Sequence, residues 1–232
     1  MENQSTLRER LVDVGVELVI TEGPASLGLR EIARRAGVSH GAPRRYFPTH
    51  HALLSAIARR GFQELGARFE AALTASGSAR AQLRSVARAY VAYALERRGM
   101  FELMFRHDLL EGAPHPSDES RLRESSLPLF VRMTGLVAQC RTEPGDGGAA
   151  NGAAPNGGAA DNGVPGDSAA MTAAALWSNL HGIAQLWAWG SLPLVLSTAP
   201  APSVAADGDG SADRLDRLVT AVLDAHLGPD PQ

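Results

Sequence analysis

Apolar residues recur along most of this chain at spacings of three and four, and no segment sustains the alternation of a half-buried strand. The pattern predicts an all-α protein. A first helix is expected to start after Thr6, which with Glu9 would form a capping box. It carries Leu7, Leu11, Val14 and Leu18 on one face until Gly23-Pro24 stops it. A second, short helix carries Leu29, Ile32, Ala33 and Ala36 inward, with Gly28 at its N-cap, Glu31 at its third position and Gly37 closing it. Val38 is expected as a buried plug. Ser39 is expected to cap a third helix running to about Phe47, with Pro43 in its first turn and Pro48 as its stop. From Thr49 a long fourth helix sets Leu53, Ile57, Gly61, Leu65 and Phe69 at every fourth position, and it is expected to connect two domains.

Further helical faces are carried by Leu83, Ala87, Tyr90 and Ala94, by GMFELMF from Gly99, and by Leu122, Ser126, Leu129, Met133, Leu136 and Cys140, with a kink expected at Pro128. Residues 143–168 are Gly, Ala, Asn and Pro with almost nothing to bury, so the cost of ordering them is not offset and a disordered loop is expected. Shortening that loop should leave the function of the amino-terminal end intact. An apolar helix then runs from about Ser168 to Trp189, followed by a Pro, Ala and Asp-rich loop near 197–210. The last helix is amphipathic through Leu215, Leu218, Val219, Val222 and Leu223, and Gly228-Pro229 terminates it.

At 232 residues, 44% hydrophobic and 20% charged, the composition is that of a globular protein with a sizeable core, which excludes collagenous or wholly disordered classes. A single cysteine, Cys140, excludes an intrachain disulfide and any thiol cluster for zinc or iron-sulfur, and fits a reducing cytoplasm. MENQSTLRER lacks a signal pattern and no apolar run approaches the roughly 18 residues of a membrane span. The expected location is therefore the cytoplasm, with no membrane partner. All 22 basic residues are Arg, so functions that need a Schiff-base or phosphate-loop lysine are excluded. The charge is uneven: residues 1–68 hold 10 Arg against 7 acidic residues, and residues 69–232 hold 12 against 18. The basic amino end suggests a module that faces a polyanion.

Two short helices joined by a glycine turn and braced by a longer one make a helix-turn-helix, a device that sets side chains against base edges in a DNA groove. Small Ala33 suits the helix crossing and Gly37 permits the turn. The stretch LREIARRAGVSHGAPRRYFPTHHALL, Leu29 to Leu54, resembles the DNA-binding signature of TetR-type transcriptional regulators, with IA, AGVS, YF before Pro, and LL at the family's spacing. The resemblance implies a homodimer of helical subunits. Residues 1–52 would bind a palindromic operator in double-stranded DNA, and residues 53–232 would bind an effector and dimerise. It implies that Ser39, His40, Gly41, Ala42, Arg44 and Arg45 face DNA, that Tyr46 touches a phosphate, and that Phe47 is core. His40 and His50 stand where the family often has Lys, and Arg44 where Tyr is usual. Histidine is mostly neutral at pH 7, so phosphate attraction leans on Arg44, Arg45 and Arg30. DNA affinity is then expected to be pH-sensitive between about pH 6 and pH 8. Arg44 and Arg45 are the candidates for bidentate guanine contacts.

Trp177, His181 and Gly182, in a W-x-x-x-H-G pattern, resemble the carboxy-terminal domain of the TetR subgroup named after those residues, and GMFELMFRHDLL resembles its sixth helix. Gly182 is expected to let another helix pack closely. Phe101, Met104, Phe105, Met133, Trp177, His181 and Trp187 are candidates to line a cavity for a small apolar effector, each being equally suited to a plain core. In the family the two last long helices pair with their copies, which makes Leu215, Leu218 and Val222 the candidate dimer contacts. The function implied is a ligand-responsive regulator, a repressor sooner than an activator, released from DNA when effector binds.

Other classes find less support in the residues. Ser178 with His181, or His107 with Asp108, lack a nucleophile elbow, a third orienting partner and any cofactor fingerprint, so no enzyme and no cofactor is expected. His40, His50 and His51 straddle a helix and a turn without an acid or thiol, so no metal site is expected. The remaining alternative is a helix-turn-helix used for protein association without DNA, which a titration against duplex DNA discriminates.

Overall fold

Helix is the only regular element among the residues that the computed structural model describes, which are 2–74, 77–106, 110, 116–142, 165–197 and 210–230. In chain order they form α1 (Glu2–Glu22), α2 (Leu29–Arg35), α3 (His50–Thr74), α4 (Ala79–Glu96), α5 (Arg98–Phe105), α6 (Pro116–Thr142), α7 (Pro165–Ala188), α8 (Ser191–Ser197) and α9 (Gly210–Leu227). Single 3-10 turns stand at Pro24–Ser26 and Pro43–Arg45. No helix among the described residues is long and apolar enough to cross a membrane. Most of the expected loop at 143–168 and most of that at 197–210 lie outside the described residues.

Packing groups the chain into two compact units, Met1–Glu70 with Ala92–Leu129, and Ala71–Val91 with Phe130–Gln232. The boundary expected between residues 52 and 53 falls inside α3. In the first unit, α3 buries Leu53, Ile57, Leu65 and Phe69 along the four-residue spacing that the sequence displays. Each such side chain stabilises the fold by about 1.5–3 kcal/mol relative to exposure. The inward stripe of α1 is Leu11, Val12, Leu18 and Val19 around Gly15, while the expected Val14 is only half-buried. The cause is Gly15: Ile57 of α3 fills the space that a Cβ there would need, which turns α1 toward α3 along that line. Substituting Gly15 would require the Ile57 side chain to shift.

In the second unit, α9 packs on α7. Val219 and Leu223 of α9 are buried, as are Ala173, Leu176, Leu180 and Ala184 of α7 and Leu83, Val86, Ala87 and Tyr90 of α4. Charges tie α9 to α4. Arg80 pairs with Asp224, Arg88 grips Asp216 through both its Nε and its Nη2 (2.6 Å to Oδ2), and Arg84 reaches Asp230 at 3.4 Å.

Several elements depart from the sequence expectation. α1 begins at Glu2, so Thr6 lies within it and no capping box starts it; nothing in ENQSTLRER interrupts a helix, and Glu, Gln, Leu and Arg extend one readily. Val38 is half-buried and does not plug the core. α8 has no counterpart in the sequence pattern, because SLPLVLS carries a proline and sits next to the polar loop.

Candidate nucleic-acid interface

The end of α2 is set by its glycine. Gly37 adopts φ +65°, and the chain closes with Val38 N–H donating to Ala33 O (3.0 Å) and Gly37 N–H donating to Arg34 O (3.2 Å). These are the two bonds of a Schellman cap, which satisfies two orphan carbonyls of the helix.

In place of the helix expected over Ser39–Phe47, the chain forms only the single 3-10 turn Pro43–Arg45. The physical reason is Pro43, whose missing N–H cannot donate to Ser39 O; Ala42 N–H takes that carbonyl instead at 2.9 Å, closing a tighter turn. Arg45 N–H then bonds Ala42 O, and the N–H groups of both Tyr46 and Phe47 converge on Pro43 O. Three residues of 3-10 turn carry little dipole, so a phosphate-attracting helix end is no part of this site.

Pro43 and Phe47, four residues apart, are buried and hold the turn to the first unit, with the Arg8 guanidinium 5.1 Å from the Phe47 ring centre. The residues between them turn outward. Ser39, His40, Gly41, Arg44 and Arg45 are exposed, Ala42 and Tyr46 are half-buried, and Arg30 is exposed on α2. His50 starts α3, its Nε2–H donating to the Leu27 carbonyl, so that nitrogen is engaged within the fold. Thr49 caps the same helix, its Oγ1 accepting from Ala52 N–H at 3.1 Å.

The arginines of this region fall into two sets. Arg34 donates to both oxygens of Glu31 (2.9 and 2.6 Å), and Arg35 donates to Glu31 (2.7 Å) and to Glu22. Hydrogen bonds from Arg34 and Arg35 hold the Glu31 carboxyl down to about 2. Arg30, Arg44 and Arg45 make no ion pair among the described residues. Three positive charges between residues 30 and 45 are thus unmatched among the described residues. Sequence reasoning missed Glu31 as a clamp, although its spacing of three and four from Arg34 and Arg35 was the available signal.

The residues proposed from sequence as a cavity lining divide between the units. Phe101 and Met104 are buried in the first unit's core and Phe105 is half-buried there, its ring edge-on to Phe101 (4.9 Å between centres) and to Phe62 (5.7 Å). In the second unit Met133 is buried, and Trp177, His181 and Trp187 are half-buried. Trp177 and His181 meet at a residue that the sequence marks only as part of a helix face. The Tyr90 hydroxyl accepts from Trp177 Nε1–H at 3.0 Å and stands 2.9 Å from His181 Nδ1, to which it can donate. Burial raises the Tyr90 phenol above its usual range and lowers the His181 imidazole, so both neutral forms are favoured and the chain of bonds is a neutral one. Gly182, expected to receive a packed helix, has nothing within 4 Å of where its Cβ would stand. A cleft of about 370 Å³ lies in the first unit, bordered by Arg8, Glu9, Arg59, Arg60, Gln63 and Glu124. It is polar and borders none of the proposed lining residues.

Comparison with known proteins matches both parts of the chain. Residues 11–57 match the model of bacterial regulatory proteins of the tetR family, and residues 83–207 match that of a tetracyclin repressor-like C-terminal domain. An uncharacterized HTH-type transcriptional regulator in the dhlA 5' region of Xanthobacter autotrophicus is 35% identical over 95 residues. Those residues are 40% of this chain and 47% of that protein, so the match spans about half of the curated relative's length. A solved structure of a protein with unknown function from Rhodococcus sp. RHA1 is 29% identical with a TM-score of 0.65, over 97% of this chain and 96% of its own. A TetR-family transcriptional regulator from Streptomyces coelicolor shares the fold at 21% identity and a TM-score of 0.58, over 97% of each chain.

Proposed function

The chain belongs to the TetR family of bacterial regulatory proteins, and from that premise we propose that it is a repressor that binds a palindromic operator as a homodimer and leaves it when a small apolar molecule binds. One observation carries the DNA-binding part: Arg30, Arg44 and Arg45 stand exposed around the helix-turn-helix without an ion pair among the described residues, beside two arginines whose charge is already matched. An arginine without a carboxylate is available to phosphate or to a guanine edge, and a bidentate guanine contact is worth about 1–3 kcal/mol of discrimination. Ser39, His40, Gly41, Ala42 and Tyr46 complete the face, and His50 contributes through its ring edge.

Exposed apolar surface supports the dimer. In the single chain Met171, Leu186 and Trp189 at the face and end of α7, with Leu194 and Val195 of α8, are left in solvent, and Trp189 is 71% exposed. The bare surface at Gly182 and the half-buried Leu215, Leu218 and Val222 of α9 extend what a second copy would cover. For the effector, the reading keeps Met133, Trp177, His181 and Trp187, all of the second unit. Phe101, Met104 and Phe105 are assigned to the first unit's core.

The test is a fluorescence titration of the purified protein against DNA flanking its own gene, alongside sedimentation to give the oligomeric state. Saturable binding by a dimer, with log affinity falling by about 0.9 per phosphate contacted for each tenfold rise in salt, is the expected result. A monomer, or a protein indifferent to every duplex at low salt, overturns the reading. A thermal-shift screen of apolar compounds, followed by release from DNA, tests the effector.

A further inference from the structure

Glu31 occupies the third position of α2, between the arginine offered to DNA and the two that are not. Arg30 and Arg34 are four residues apart and share a face of the helix. Arg34, with a side chain 65% exposed, has Glu31 as its only hydrogen-bonded partner among the described residues, whereas Arg35 is shared between Glu31 and Glu22. We propose that Glu31 is a positioning residue that holds Arg34 away from the duplex and so limits this face of α2 to a single phosphate-seeking arginine, Arg30.

The inference rests on the DNA-binding reading. Its physical content is competition for one guanidinium. A carboxylate gripping Arg34 by two parallel N–H bonds must be displaced before a phosphate can use the same donors. Non-specific affinity grows with each phosphate neutralised and carries no sequence information, so a clamp that removes one arginine keeps that contribution small relative to base reading by Arg44 and Arg45. Glu22 plays no equal part, since it hydrogen-bonds Arg35 and acts on Arg34 only through its charge, without a bond.

The experiment measures affinity of the full chain for a random-sequence duplex against salt. E31Q keeps the shape of the side chain and removes its charge; Arg34 is released and Arg35 stays with Glu22. The salt slope of E31Q is expected to steepen by about 0.9, so that its advantage over the wild type shrinks about 3.5-fold between roughly 50 and 200 mM salt. R34Q alone is expected to leave affinity and slope unchanged, and the E31Q/R34Q double variant to return to the wild-type slope. An unchanged or shallower slope in E31Q overturns the inference, and so does a loss of slope in R34Q, which decides the matter even if E31Q does not fold. A wild-type chain that ignores the duplex overturns the DNA-binding reading and this inference with it.

Discussion

Arginine is put to opposite uses in two regions of this molecule. On α4, Arg80, Arg84 and Arg88 recur every fourth residue, and each meets an aspartate 128 to 146 positions further along the chain. Around the helix-turn-helix, Arg30, Arg44 and Arg45 meet none among the described residues. In a chain without lysine, residue type alone therefore says nothing of purpose, and the location of the countercharge does. A matched arginine commits its charge to the fold, while an unmatched one leaves it open to solvent or to a partner.

The sharpest way to break this contrast is to neutralise Arg44 and Arg45 together. Arg44→Gln with Arg45→Gln is expected to lower operator affinity by about 1–3 kcal/mol for each contact that reads a base. The melting temperature should hardly move, and a fall comparable to that of an α4 variant would erase the distinction. Arg80→Ala, at a side chain only 11% exposed, is expected to cost on the order of 1.5 kcal/mol of stability in urea denaturation while DNA affinity is preserved in the folded protein. Tyr90→Phe removes the hydroxyl that joins Trp177 to His181 and should cost about 1 kcal/mol, since water can serve the two half-buried rings. Arg88→Ala, half-exposed at both partners, is expected to lose no more than about 1 kcal/mol.

The smallest effect is one of pH. Burial lowers the His181 pKa in the folded chain, so the native state binds fewer protons than the unfolded one. Stability present above about pH 6.5, the ordinary imidazole value, is lost as pH falls through the interval down to the folded value. His181→Gln should flatten that part of the stability profile, and a profile unchanged by the substitution would show that His181 contributes nothing to it.

How much of this is legible in the sequence depends on the range of each interaction. α3 is plain because Leu53, Ile57, Leu65 and Phe69 keep one face for five turns, and α2 because Gly28 and Gly37 bracket its apolar residues. Over Ser39–Phe47 the structure departs from the expected helix: a proline is tolerable in a helix's first turn, yet the lost N–H of Pro43 leaves a tight turn in place of a helix. The stripe of α1 is rotated by a close approach at Gly15 that is visible only once α3 lies beside it. In the sequence Tyr90 is one more inward position, and its hydroxyl acquires a role only when α7 supplies Trp177 and His181. The α4 arginines leave no local trace of their aspartates, because their partners lie more than a hundred residues away.

Those aspartates also fix a distance. Arg80 and Arg88 are separated by eight residues, as are Asp224 and Asp216, and the pairs run in opposite senses, so two marks about 12 Å apart on one helix align with two on the other. Sliding α9 by one turn would bring Thr220 to Arg80 or to Arg88 and leave Arg84 facing Asp216 or Asp224, one pair in place of two. The ladder works as a vernier: two pairs form at one axial setting of α9 and only one pair a turn to either side, so the ladder favours that setting over its neighbours.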